Sequence, residues 1–63
     1  MTNSEIAQLA RDKGFRADLE NGGVVVWLIN RKPSQFEIGR ELDIPSGLIH
    51  HDPQGALIFG SDS

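Results

Sequence analysis

The stretch Thr2-Asn3-Ser4-Glu5-Ile6 returns as Ser34-Gln35-Phe36-Glu37-Ile38, with the hydroxyl, the glutamate and the isoleucine each displaced by 32 positions. In both copies a Thr or Ser stands three residues before a Glu. That spacing lets the hydroxyl cap the free amides of a helix while the carboxylate reaches back to the cap's own N–H. Each copy therefore predicts a helix start. Downstream of the first, Ile6, Leu9 and Ala10 fall on one face at i, i+3 and i+4, and Gly14 stops the helix. Downstream of the second, Ile38 and Leu42 make the same contact and Pro45 ends it. Gly39 costs roughly 1 kcal/mol relative to alanine inside a helix, so it predicts either a close-packing point or a short helix.

After each helix the pattern changes to that of a hairpin. Residues 15–19 alternate apolar and polar as a half-buried strand should, and Asn21-Gly22 is the strongest short signal for a type I′ turn. Residues 23–30 form the return strand, apolar on both faces from Val24 to Ile29, which predicts a central position or a second covering layer. Arg31-Lys32-Pro33 is a polar connection. In the second half residues 48–51 and 56–60 are the strands, and Asp52-Pro53-Gln54-Gly55 is a type I turn with Gly55 set for a left-handed bulge. Residues 61–63 are expected to fray.

The chain is thus read as one domain over residues 1–63, built from two α-β-β halves at 2–30 and 34–60. The fold class is α+β: a four-stranded, mostly antiparallel sheet with two helices on one face, in the order α-β-β-α-β-β. This resembles a ferredoxin-like sandwich permuted so that the chain begins at its first helix. The second and fourth strands are expected in the centre, parallel to each other. The first and third are expected at the edges, where Arg16, Asp18, Glu20, His50 and His51 discourage aggregation.

Size and charge narrow the function. A chain of 63 residues and 6.9 kDa buries only about 60% of its unfolded surface. With no cysteines neither a disulfide nor a thiolate zinc site can reinforce so thin a core, which leaves self-association as the usual remedy. Nine acidic against six basic residues give a net charge of −3, unfavourable for non-specific binding to phosphates. The polar start after Met1 and the lack of a long apolar run predict a cytoplasmic protein with no membrane segment.

Strand alternation then assigns two faces. A two-residue Asn21-Gly22 turn places Leu19 opposite Val24, Ala17 opposite Val26 and Phe15 opposite Leu28, and these six are expected to face the helices. Val25, Trp27 and Ile29 fall on the other face, with Arg16 across from Trp27. In the second hairpin, a bulge at Gly55 would turn Ile49, Leu57 and Phe59 inward and leave Leu48, His50 and Ile58 on the open side. The expected partner-binding set is therefore Arg16, Val25, Trp27, Ile29, Leu48, His50 and Ile58. A tryptophan in such a patch is either ordinary core or an interface anchor.

Motifs that would carry chemistry are weak. His50-His51-Asp52 suggests a metal, but alternation sends His51 away from the other two, short of the three protein ligands of a catalytic zinc. Asp52 is better placed to accept from the amides of its own turn. No serine sits on a strand-to-helix elbow, and Asn21-Gly22-Gly23 opens a strand rather than a phosphate-binding helix. No cofactor and no enzymatic activity are expected. The main rival is a helix-turn-helix over residues 37–51, a nucleic-acid-binding regulator, for which Ile38, Gly39, Leu42, Ile44 and Ile49 approach the required spacing. Asp52-Pro53 would cut its recognition helix after about two turns, and that helix would bring no Lys or Arg to phosphates. Bases could also stack on the sheet around Trp27 with Arg16, although only one aromatic is expected there. The favoured expectation is a small interaction domain that forms a homodimer, binds and modulates a larger protein partner, or both. An inhibitor encoded by a phage or other mobile element would have this size and simplicity.

Overall fold

The two hydroxyls at the heads of the repeat both cap helices. In the computed structural model, which describes residues 1–20 and 22–60, Thr2 Oγ1 accepts from Glu5 N–H at 3.2 Å and Glu5 Oε1 from Thr2 N–H at 2.7 Å, opening α1 (Asn3–Asp12). Ser34 likewise accepts from Glu37 N–H at 3.0 Å and opens α2 (Gln35–Leu42). Contrary to expectation, Glu37 does not close a box. Its carboxylate instead takes both ends of the Arg31 guanidinium, at 2.8 and 2.5 Å, because a planar two-pronged donor competes well against a single amide.

Both helices end by the same device. Gly14, at φ +95°, donates to Arg11 and lets Phe15 N–H reach back to Ala10, which satisfies two carbonyls and folds the phenylalanine under the helix. At the end of α2 the left-handed residue is Asp43, with φ 56°, and Ile44 N–H returns to Gly39. Gly39 is the close-packing point: a Cβ there would lie 3.0 Å from the Ile49 side chain.

The strands are β1 (Arg16–Glu20), β2 (Gly23–Trp27), β3 (Ile49–His51) and β4 (Gly55–Ile58), in the sheet order β1-β2-β4-β3. The α+β class, the element order and the placing of both helices on one face agree with the sequence. The first hairpin has the expected register, with Leu19 opposite Val24, Ala17 opposite Val26 and Arg16 opposite Trp27. Gly22 has φ +85°, as that turn requires. Asn21 and the expected fraying of residues 61–63 lie outside the described residues. β2 is shorter than expected and stops at Trp27, so Leu28 and Ile29 lie beyond it.

The two central strands are antiparallel, not parallel. The connection through α2 carries the chain from β2 to the far edge, where β3 runs parallel to β2. A tight hairpin then reverses β4 into the gap between them. A strand turned back from one parallel to β2 must oppose β2, giving the split β-α-β of a ferredoxin-like sandwich.

The second hairpin departs from its expected register by one residue. Asp52 and Gly55 exchange N–H···O bonds at 3.3 and 3.1 Å, and Ile49, His50 and His51 pair directly with Ile58, Leu57 and Ala56. There is no bulge. Gly55 does not have positive φ; it is glycine because a Cβ would collide with the Val26 carbonyl across the β2–β4 ladder. Since the side-chain period is two, the missing residue turns Ile58 inward and Leu57 and Phe59 outward.

The core therefore joins Ile6, Ala7 and Ala10 of α1, Ile38 and Leu42 of α2, and the inward row Val24, Val26, Ala56, Ile58, Ile49 and Ala17. Leu19, expected here, is 56% exposed. Helix α1 crosses the sheet diagonally, with Asn3 bonded to Gly22 O and Gly60 N near the β2–β4 end and Arg11 bonded to Ala17 O at β1. The edge at Leu19 is left beyond the helix. Among the described residues no helix is long and apolar enough to cross a membrane.

Candidate functional site

With both helices on one side, alternation leaves β2 and β4 to present Gly23, Val25 and Trp27 beside Phe59, Leu57 and Gly55 on the other. Val25 is only 4% exposed yet does not belong to the connected core. Its ladder partners, Asp18 and Leu57, flank it on the outer face. Trp27 and Leu57 are half-buried and Phe59 is exposed. Phe59 also meets His50 edge to face, with ring centroids 5.2 Å apart. Arg16, Asp18 and Glu20 on β1 give this apolar centre a charged border.

Of the expected partner-binding residues, Arg16, Val25, Trp27 and His50 do share this face. Ile58 does not: it is fully buried between the sheet and the helices, as the unbulged turn requires. Leu48 is also misplaced. It sits in a single 3-10 turn (Ser46–Leu48) and packs against the core beside Met1, Ile6 and Ile44. Ile29 leaves the sheet after β2 and is 69% exposed, but it shares with Trp27 a shallow cleft of about 450 Å³ at the strand's end.

Sequence reasoning missed Leu57 and Phe59. The signal that would have found them is the repeat itself, since the 32-residue spacing maps Val25 onto Leu57, Val26 onto Ile58 and Trp27 onto Phe59. In three dimensions the two halves are related by an approximate two-fold axis through the Val25–Leu57 pair, perpendicular to the sheet. The face of Val26 fixes that of Ile58.

His50 and His51 diverge as alternation demands: His50 contacts Phe59, and His51 Nε2 lies 3.5 Å from Lys32 Nζ. Asp52 Oδ2 accepts from Gln54 N–H at 2.9 Å, the turn-stabilising role expected of it. Among the described residues no three histidine, cysteine or acidic side chains converge where an ion could sit. The helix-turn-helix is contradicted. After Pro45 there is one 3-10 turn and then β3, so no second helix exists over residues 46–51.

No protein-family model matches the chain, and comparison with curated proteins and with solved structures finds no match either.

Proposed function

We propose that this chain is a small protein-binding module without catalytic chemistry of its own, and that the outer face of the sheet is its contact surface. The observation that carries this reading is the row Trp27, Val25, Leu57 and Phe59 on a sheet whose two helices both lie on the opposite side. A tryptophan and a phenylalanine at the centre with charges at the rim is the anatomy of a protein interface. Any modulation of a larger partner follows from occupying that partner's surface, and the cysteine-free composition suits an intracellular setting.

One observation favours a second reading. Two aromatic rings, not one, stand on the outer face, Trp27 at the end of β2 and Phe59 just past β4, as in sheets that stack single-stranded bases. Asp18 and Glu20 border the same face, however, and a phosphate backbone would have to pass these carboxylates on a protein of net charge −3.

The test is a chain carrying Trp27→Ala with Leu57→Lys. It should keep cooperative unfolding while losing apolar-dye binding and association together. A variant that no longer folds would place these side chains in the core. A wild-type protein that binds single-stranded RNA with steep salt dependence would move the function to nucleic acid.

A further inference from the structure

The outer face carries, in two of its rows, complementary polar groups at the two edge strands. Its middle row, following the ladder across all four strands, is Asp18, Val25, Leu57, His50. The row beside it is Arg16, Trp27, Gly55, Asp52. Each has opposite hydrogen-bonding character at its two ends and apolar or small residues between.

We infer that the occupant of this face is a second copy of the chain, packed sheet to sheet about a two-fold axis parallel to the strands. This rests on the reading of the outer face as the contact surface. Such an axis exchanges β1 with β3 and β2 with β4. It sets Asp18 against His50 of the second copy twice over, Arg16 against its Asp52, and Val25 against its Leu57. A carboxylate accepts from an imidazole N–H whether or not the ring is charged. Trp27 meets Gly55, whose missing side chain leaves room for the indole.

The alternative axis, across the strands, would place Asp18 against Asp18 and His50 against His50, and like charges opposed in an interface oppose association. Sheet twist is compatible with the pairing of Asp18 with His50. Twisting rotates successive strands about the middle row and leaves that row level, so Asp18 and His50 stay at one height across two sheets packed about 10 Å apart. The face is only about 14 Å wide between the edge strands, an interface at the small end of the specific range. Association is therefore weak and visible at high protein concentration.

Asp18 and His50 of one chain are three strand spacings, about 14 Å, apart, so they cannot compensate each other within a monomer. Sedimentation equilibrium on Asp18→Lys, on His50→Glu and on their equimolar mixture tests the geometry. Each variant alone should dimerise roughly five- to tenfold more weakly than wild type. The mixture should recover, because the ammonium introduced on β1 of one chain then meets the carboxylate introduced on β3 of the other. Circular dichroism of each variant confirms that the fold is kept. A mixture no stronger than its components overturns the proposed axis, and a wild type that is monomeric at millimolar concentration overturns the second copy while leaving a different protein partner open. A dimer untouched by either substitution and by Leu57→Lys removes the outer face as a contact surface altogether.

Discussion

His50 and Phe59 meet edge to face on the outer side of the sheet, their ring planes inclined at 67°. The same phenylalanine lies over Gly23 on the neighbouring strand, where an added Cβ would stand 3.1 Å from Phe59 Cδ1 and 3.0 Å from the Ile58 carbonyl oxygen. The ring can move; the carbonyl, held in the ladder, cannot. Gly23→Ala is accordingly expected to cost about 1 kcal/mol through overpacking and to displace the Phe59 ring. Urea unfolding measures the first effect, and a change in the His50 ring-proton shifts reports the second.

The register of the second hairpin separates two adjacent residues. Ile58→Ala should cost about 3 kcal/mol, the usual range for emptying a core site, a large share of the 3–9 kcal/mol or so available to a chain this short. Leu57→Ala, on the outer face, should cost less than about 1 kcal/mol. Equal losses at the two positions would contradict the unbulged Asp52–Gly55 turn.

Asn3 ties together three segments that are distant in sequence. Its Nδ2 donates to Gly22 O at 2.9 Å and its Oδ1 accepts from Gly60 N–H at 2.7 Å, pinning the first turn of α1 to the ends of β2 and β4. Asn3→Ala should cost about 1–2 kcal/mol and should speed hydrogen exchange at Gly60 more than at Val26. Uniform acceleration would mean that the clamp is not local.

What could be read from the sequence follows these distances. The caps at Thr2 and Ser34 and the Asn21-Gly22 hairpin are written within a few residues, and their helices and register agree with the structure. Gly55 could be read as a bulge glycine or as a point of close approach, and its own turn does not distinguish them. The deciding contact is Val26, on another strand. That single residue moved Ile58 out of the candidate site and brought Leu57 and Phe59 into it. Asn3 and the Arg31–Glu37 pair were illegible for the same reason: each could have found a local partner, and tertiary structure supplied a better one.

Acid should loosen both helix starts. The Glu5 carboxyl is held below its ordinary value chiefly by the Thr2 backbone N–H, and that of Glu37 chiefly by the Arg31 guanidinium. A lowered folded-state value means that the unfolded chain binds more protons in this window. The stabilisation is therefore complete above the ordinary glutamate range and disappears as pH falls through the lowered values. Urea midpoints should drop between neutral and acidic pH, and Glu5→Gln with Glu37→Gln should flatten that dependence. Thr2→Ala and Ser34→Ala should each cost about 1 kcal/mol at neutral pH.

The proposed contact surface is the uncovered side of the sheet, and its proposed occupant is another copy of the chain. Amide and indole chemical shifts recorded over a wide range of protein concentration test this most directly. The Trp27 indole, Leu57, His50 and Asp18 should move together with concentration while Ala7, Gln8 and Glu41 on the helices stay fixed. Concentration-dependent shifts confined to the helices, or none at any concentration, would contradict it.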